Sequence, residues 1–442
     1  MQEDLRMFVD KLERADLLQR ITREVDPRFE LSAVARAVER LGKAMVFSNV
    51  KGYRLPVVTN VFGSRTQLAM IFGTSPEDVV REFMKRSEVR VDPVLVDTGP
   101  CKEVVKIGEE ADIDRLPLVT HCEKDAGPYV TAGIIVAKDP ETGRRNVSIN
   151  RMMYKNAHTL ACRMMPPQHL GLIQGKAEAQ DRPLEIAVAI GNHPVETLVA
   201  ATTLAYGDDE FALAGALRQH PLELVKCETV DLEVPATSEI VLEGEIVPNV
   251  REPEGPFGDL MQYYVPIMEN HVFRLKAITH RKDPMWQTIQ ASSLEDVHLL
   301  ALSREAKVMR AVEQSGAKVR AVSLVPTIMS VVVSIQKQFE GEPKNVAAAA
   351  FGAYSWLKYC VVVDHDVDVF DINDVWWAMA TRSDVGKGLL QMENALGFPR
   401  DEFHIHQSKL GIDATAPLNQ WQEFERKRVP GFEALNLQDY LG

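Results

Sequence analysis

The chain has 442 residues, more than a single hydrophobic core serves, so two or three domains are expected. Hydrophobic residues make up 45% and charged residues 26%, an ordinary balance for a soluble globular protein. The formal net charge of −13, with no basic run to offset it, argues against nucleic acid or an anionic membrane as a partner.

The amino terminus is charged from Glu3 onward, and Leu5, Phe8, Val9 and Leu12 recur at helical spacing. That pattern predicts an amphipathic helix and not a signal peptide. Residues 45–47 and 55–61 read as strands. Residues 75–85 read as a helix capped by Ser75, with Glu77 and Asp78 in its first turn. Residues 1–110 are therefore expected to form an N-terminal α/β region.

From 111 to 300 the β-branched runs are denser. Residues 129–137, 146–150, 184–190, 222–225, 239–246 and 272–280 read as strands, several of them separated by turn signals such as Asp139-Pro140, Thr142-Gly143 and Gly191-Asn192. So much β structure in one region suggests a barrel or a strongly curved sheet.

Residues 296–314 read as a helix. Beyond it, strand patterns at 319–324, 329–333 and 359–363 alternate with helical patterns at 343–355 and 373–381. The third region, 301–442, is thus a second α/β folding unit, and its polar tail from Asn419 suits an arm or helix packed on a neighbouring subunit. The longest uncharged stretch, 321–336, holds Pro326, Thr327 and three serines. It is too short and too polar for a membrane span, which needs roughly 20 apolar residues, so the expected compartment is the cytoplasm.

The five cysteines, Cys101, Cys122, Cys162, Cys227 and Cys360, form no C-x-x-C pair and suit a reducing compartment as buried or idle thiols. No GxGxxG, P-loop, GxSxG or HExxH motif is present, which argues against a Rossmann dehydrogenase, a P-loop NTPase, an α/β-hydrolase and a zincin. The acidic run Asp364-His365-Asp366-Val367-Asp368 lacks the glycine and glutamate of an EF-hand, and Asp371 or Asn373 suits a cap on the next helix. His404 and His406 alternate on a possible strand and so share a face.

The most informative segment is Arg251-Glu252-Pro253-Glu254-Gly255-Pro256-Phe257-Gly258-Asp259. It reads as a loop shaped by two prolines and two glycines that holds the carboxylates Glu254 and Asp259 near arginine. Paired acids beside an arginine are a common device for moving protons. The bland alternative is a turn with surface acids, Arg251 being a plain salt-bridge partner. Arg151 follows Asn146-Val147-Ser148-Ile149-Asn150 at the expected end of a strand, ahead of Pro166-Pro167-Gln168-His169 and of Glu210 in Gly207-Asp208-Asp209-Glu210-Phe211. An amide oxygen, an imidazole and a carboxylate together suit Mn²⁺ or Mg²⁺ with phosphate oxygens. Spacing alone leaves a structural histidine and a solvated or helix-capping acid equally open. Lys409, framed by Ser408 and Gly411, suits a phosphate or flavin contact or an ordinary loop.

Several of these motifs occur in one order that resembles the UbiD-like decarboxylases, which use prenylated FMN. They are Asn146-Val147-Ser148-Ile149-Asn150-Arg151, Pro167-Gln168-His169, Val234-Pro235-Ala236-Thr237-Ser238-Glu239-Ile240-Val241-Leu242-Glu243-Gly244, Glu254-Gly255-Pro256-Phe257-Gly258-Asp259, and Ser408-Lys409-Leu410-Gly411-Ile412-Asp413-Ala414-Thr415. The resemblance runs nearly end to end.

It implies an N-terminal α/β region, a central split β-barrel that binds flavin and a C-terminal α/β domain used in oligomerisation, as a homodimer or homohexamer. It implies Asn146, His169 and Glu210 as ligands of a divalent ion, usually Mn²⁺, with Asn150 close by as a rival to Asn146. A K⁺ ion would lie near the carbonyls of 199–202. Arg151, Glu254 and Asp259 match the family's arginine-acid-acid triad, the last often glutamate in relatives. Ser148, Ile149, Arg151, Gln168 and Lys409 fall at cofactor positions.

The implied reaction is a reversible, non-oxidative decarboxylation in which the flavin bonds to the substrate and Asp259 protonates the carbon after CO₂ leaves. A flavin prenyltransferase would supply the cofactor. The expected substrate is a small aromatic or heteroaromatic acid, such as a hydroxybenzoate, a furoate or furandicarboxylate, or a pyrrole or indole carboxylate. His298 and Arg304 offer cationic or hydrogen-bonding contacts to a ring substituent, unless they merely form the polar face of a helix. The competing expectations are an FMN-dependent reductase on a split barrel and a scaffold subunit of a multi-component carboxylase.

Overall fold

A computed structural model describes residues 2–165, 168–398, 406–427, 429–431, 435 and 439–440. Its internal contacts divide the chain into two compact units, Met1–Ala306 and Lys307–Gly442. Residues 1–110 and the β-rich region after them fall within the first. No described helix is long and apolar enough to cross a membrane.

The first unit opens on the helix Leu5–Arg14, started by the Asp4 carboxylate, which accepts the Met7 N–H. It buries Leu5, Phe8, Val9 and Leu12, as their spacing predicts. A four-stranded sheet follows, in the order Leu18–Ile21, Ala44–Phe47, Val57–Thr59 and Trp286–Gln287. The strand expected over 55–61 is only Val57–Thr59: Pro56 has no N–H to offer, and Asn60 turns to a positive φ of 64°. The helix expected from Ser75 begins at Val79. Ser75 Oγ accepts the Asp78 N–H and donates to the Asp78 carboxylate, so these residues form a turn ahead of the helix.

The centre of this unit is a curled nine-stranded sheet. Its path runs Tyr129–Val130, Met152–Asn156, Thr159–Cys162, Met268–His280, Ile240–Glu254, Leu184–Ile190, Ile134–Lys138 and Arg145–Ile149, and Val104–Ile107 also pairs with Met268–His280. The two longest strands, Ile240–Glu254 and Met268–His280, pair antiparallel from Ile240↔His280 to Glu254↔Met268. The register slips between Glu243 and Gly244 and again between Ile246 and Arg251. Such bulges bend and twist the strand that carries them. The inner face buries Ile135, Val188, Leu242, Phe273 and Leu275 in one cluster.

Two strand expectations are corrected. The run 129–137 is broken after Val130, and its halves pair with different strands. The break is steric and polar: a Cβ at Gly133 would stand 2.5 Å from Val188 Cγ1, and Thr131 Oγ1 accepts the Ile289 N–H. The strand expected over 239–246 continues to Glu254, so Arg251–Glu254, read from sequence as loop, is paired backbone. Leu184–Ile190 pairs only as far as Ile246. Beyond it the strand has one neighbour, an edge position where Pro253 is tolerated without an N–H.

The second unit is a five-stranded sheet in the order Val319–Ser323, Ser330–Ile335, Tyr359–Asp364, His406–Ala414 and Leu389–Leu396. The middle three strands run parallel. The helices Glu342–Ala353 and Ile372–Arg382 complete it, and Val332, Val361, Val363, Val375, Ala378 and Ala414 form a core cluster. Asp371 caps the second helix by accepting the Asn373 N–H. The acidic run clasps a cation of its own chain: Arg382 Nη1 reaches Asp364 at 2.8 Å and Asp366 at 2.7 Å. His404 and the side chain of His406 lie outside the described residues.

The first register slip has a steric consequence at Gly244. A Cβ there would fall inside contact distance of the Arg274 carbonyl oxygen and 2.7 Å from Phe273 Cε2. Both belong to the paired strand and cannot withdraw. Gly244→Ala is therefore expected to lower unfolding free energy by about 2–3 kcal/mol, read as a reduced midpoint in urea at unchanged slope.

Candidate active site

Glu254, at the end of its strand, is 0% exposed and receives four hydrogen bonds. Arg151 Nε donates to Oε1 at 2.8 Å and Arg151 Nη2 to Oε2 at 2.9 Å. The Tyr129 hydroxyl donates to Oε1 at 3.0 Å and Asn270 Nδ2 to Oε2 at 3.0 Å. A carboxylate offers about four acceptor sites, and here all are used. Arg151 sits in the short link between Arg145–Ile149 and Met152–Asn156. Its guanidinium lies 4.5 Å over the Phe257 ring, which packs at 4.6 Å on Tyr129. Burial, then the neighbouring Glu254, raises the Tyr129 phenol above its ordinary range. Arg251 plays no part here: it is paired bidentately with Glu178, at 2.8 and 2.7 Å, the plain salt bridge of the bland reading.

Asp259 lies just beyond the short hairpin of Phe257–Gly258 with Tyr264–Val265. It is 6% exposed, and its Oδ1 accepts the Met261 N–H at 3.0 Å. Asp125 braces the hairpin from below, accepting the N–H groups of Gly258 and Cys122, each at 2.8 Å. The helix Leu294–Gln314 starts in the same neighbourhood. Burial pushes the Asp296 carboxyl up to about 6 against the hydrogen bond it accepts from the Ser292 N–H, with nearby Asp259 adding to the rise and Arg304 and Arg36 opposing it. On that helix His298 is buried, so it is not part of a solvated polar face. Its Nδ1 has no partner, and burial pushes its imidazole down to about 4. Arg304 Nη1 donates to the Leu300 carbonyl. Glu295 anchors the helix start by accepting the N–H groups of Asn60 and Val61, at 2.6 and 2.7 Å.

A second cluster lies on the strand Arg145–Ile149 and the helix ends near it. Asn146, His169 and Glu210 line one small recess together with Arg144, Arg145, Tyr206 and Gly207. His169 and Glu210 are each the first residue of a helix, His169–Ala179 and Glu210–Arg218. Glu210 is 2% exposed, and its Oε2 accepts the Val147 N–H at 2.8 Å. Burial pushes its carboxyl up to about 8. Asn146 is buried with Oδ1 lacking any partner. The Asn150 amide is committed at both ends, accepting from Ser148 Oγ and donating to the Arg163 carbonyl, each at 3.0 Å. The orphaned oxygen of Asn146 and the uncompensated carboxylate of Glu210 are what a cation relieves, and with the imidazole they form a hard-to-borderline donor set.

The other sequence-predicted residues are less telling. Ser148 and Ile149 are half-buried on the strand, and Gln168 is the exposed cap residue of the His169 helix, without a side-chain capping bond. Pro167 lies outside the described residues. At the end of the helix Pro194–Ala200, the Val199 carbonyl accepts the Thr202 N–H at 3.0 Å. Lys409 is no ordinary loop lysine. It is buried on the strand His406–Ala414 of the second unit, where Nζ donates to the carbonyls of Ser355 and Leu357 at 2.6 Å each.

Sequence reasoning missed Tyr129, Asn270, Asp296 and Tyr206. Asn270 is opposite Glu252 in the ladder, a placement that becomes visible only once the register is known.

Three models of the UbiD family match the chain: the 3-octaprenyl-4-hydroxybenzoate carboxy-lyase N-terminal domain over residues 9–87, its Rift-related domain over 94–293 and its C-terminal domain over 297–414. The chain is 36% identical over 428 residues to the anhydromevalonate phosphate decarboxylase of Methanothermobacter thermautotrophicus, covering 96% of this chain and 99% of that one. It is 34% identical over 442 residues to the phenolic acid decarboxylase of Sedimentibacter hydroxybenzoicus, covering 94% and 92%. The structure of the UbiD-class enzyme HmfF from Pelotomaculum thermopropionicum in complex with FMN superposes with a TM-score of 0.95 at 42% identity, over 99% of this chain and 100% of that one. An evolved dimeric form of HmfF in complex with prenylated FMN gives 0.91 at 41%, over the whole of both chains. With its curled sheet, its three matched domains and these relatives, the chain belongs to the UbiD family of carboxy-lyases.

Proposed function

We propose that the chain catalyses the reversible, non-oxidative decarboxylation of a small aromatic or heteroaromatic acid on prenylated FMN, with Mn²⁺ and K⁺ at the phosphate end of the flavin. The observation that carries this reading is the saturated carboxylate of Glu254 beneath Arg151, one hairpin away from Asp259. Asn146, His169 and Glu210 would hold the divalent ion. When bound, the prenylated flavin supplies the electron sink that carbon needs when it loses CO₂.

The chain's own groups divide the remaining work. Arg151 spends two of its five N–H donors on Glu254, and the rest are available to a substrate carboxylate. The fixed fork and the Phe257 ring beneath it hold that guanidinium in place before substrate arrives, and preorganised charge needs no rearrangement during the reaction. Glu254 has no acceptor site left and therefore orients Arg151. Delivery of the proton to carbon falls to Asp259.

The phenolic acid decarboxylase among the relatives supports an aromatic substrate. The anhydromevalonate phosphate decarboxylase supports including a phosphate-bearing acid as a second class. Protein co-expressed with a flavin prenyltransferase is expected to release CO₂ from a member of the aromatic panel. Release from the phosphate-bearing acid alone would overturn the proposed substrate class.

Asp259→Asn is expected to retain flavin and metal while turnover falls at least about 100-fold. Near wild-type turnover would remove Asp259 from the proton step. Tyr129→Phe and Asn270→Ala each strip one donor from a fully buried carboxylate. Each should cost about 1–3 kcal/mol of stability and lower kcat more than KM for the acid rises, because the fork of Arg151 loses its anchor. The split is read from steady-state kinetics beside a denaturation curve.

A further inference from the structure

We propose that Asp139, Lys176 and Tyr206 form a polar hub that sets the spacing of Asn146, His169 and Glu210. The inference rests on the reading of those three as a divalent-cation site and names the residues that hold the site open in the right shape.

Each hub member comes from a segment that also delivers one donor to the recess. Asp139 starts the turn joining Ile134–Lys138 to Arg145–Ile149, the strand that carries Asn146. Its backbone closes that turn, donating to the Arg144 carbonyl and accepting from the Gly143 N–H, both at 2.8 Å. Lys176 lies seven residues beyond His169 on one helix, two turns along and so on the same face. Tyr206 lies four residues before Glu210 in the connection that leads into its helix.

The three meet at one carboxylate. Asp139 is 2% exposed. Its Oδ2 accepts Lys176 Nζ at 2.8 Å and the Tyr206 hydroxyl at 2.5 Å, and Oδ1 accepts the Glu141 N–H at 2.9 Å. Burial opposes ionisation there, yet Lys176 and Tyr206 hold the Asp139 carboxyl well below the usual carboxylate range. The Tyr206 ring does the rest. The His169 imidazole stands edge-on to it at 5.2 Å and 85°, and the Lys176 ammonium lies 5.2 Å over it. Hairpin, helix and loop are thereby tied to each other at the wall of the recess, which Asp139 and Tyr206 also line, and the three donors inherit their spacing. Second-layer contacts of this kind commonly change metal affinity 10- to 100-fold when lost. Tyr206 and Lys176 are themselves partly exposed, but each serves a carboxylate that is not, so losing either bond should also lower the melting temperature by a few degrees.

The test uses the full chain with FMN, comparing Tyr206→Phe and Lys176→Met with wild type. Free Mn²⁺ is titrated by electron paramagnetic resonance, and the melting temperature is taken on the metal-free protein. The expected result is a rise of about tenfold in the Mn²⁺ Kd for each variant, measured well below the melting temperature, and a wild-type Kd for Gly244→Ala, which lowers stability without touching the hub. Wild-type Kd in both variants overturns the hub and leaves the cation site standing. A Kd that rises equally in Gly244→Ala also overturns it, since affinity would then merely follow stability. Failure of the wild-type chain to bind Mn²⁺ removes the cation site and the hub together.

Discussion

A carboxylate with no solvent contact is the constraint around which the first unit is built. Withdrawing Glu254 from water costs several kcal/mol unless charge and hydrogen bonds replace what water gave. Its four donors come from separate places in the sheet: Tyr129 from a two-residue strand, Asn270 from the long neighbouring strand, and Arg151 from a strand link. They converge because the sheet curls, and the register slips at Gly244 and Arg251 lie on the strand that ends at Glu254. A flat sheet with the same pairing would point these side chains along parallel lines.

The second cluster is organised on a different rule. Around Glu254 every polar group is satisfied, whereas in the recess Asn146 Oδ1 is orphaned and the Glu210 carboxyl is pushed upward by burial. A buried polar atom without a partner is a standing cost, tolerable where something else completes the shell. One cluster is thus finished by the chain, and the other keeps an unpaired oxygen. The strand Arg145–Ile149 and the link after it connect them, Asn146 facing the recess and Arg151 reaching Glu254.

Much of this was legible in the sequence, for reasons that differ by element. The strand over 184–190 was found at its true bounds because it is an unbroken apolar run on a β-branched background, and the opening helix was found by its period. The pairing of Arg151 with Glu254, 103 positions apart, was legible through motif order. What escaped was set by the ladder. Arg251–Glu254 reads as loop because prolines and glycines crowd it, and only the one-sided pairing beyond Ile246 explains why a strand survives there. Tyr129 and Asn270 carry no local mark at all. Their role follows from register, which a single sequence does not display.

The same burial logic separates His298 from Arg304, the two residues expected to contact a ring substituent. Arg304 is a guanidinium that donates to the Leu300 carbonyl one turn back. His298, pushed down to about 4, is neutral at pH 7, so the cationic option does not apply to it. A neutral imidazole with one unpartnered nitrogen recognises a hydrogen-bonding group and is indifferent to net charge. The backbone of Phe62 and Leu294 favours the charged form of this ring, and burial outweighs both. Burial, which a single sequence does not display, thus decides between the cationic and the hydrogen-bonding reading of His298.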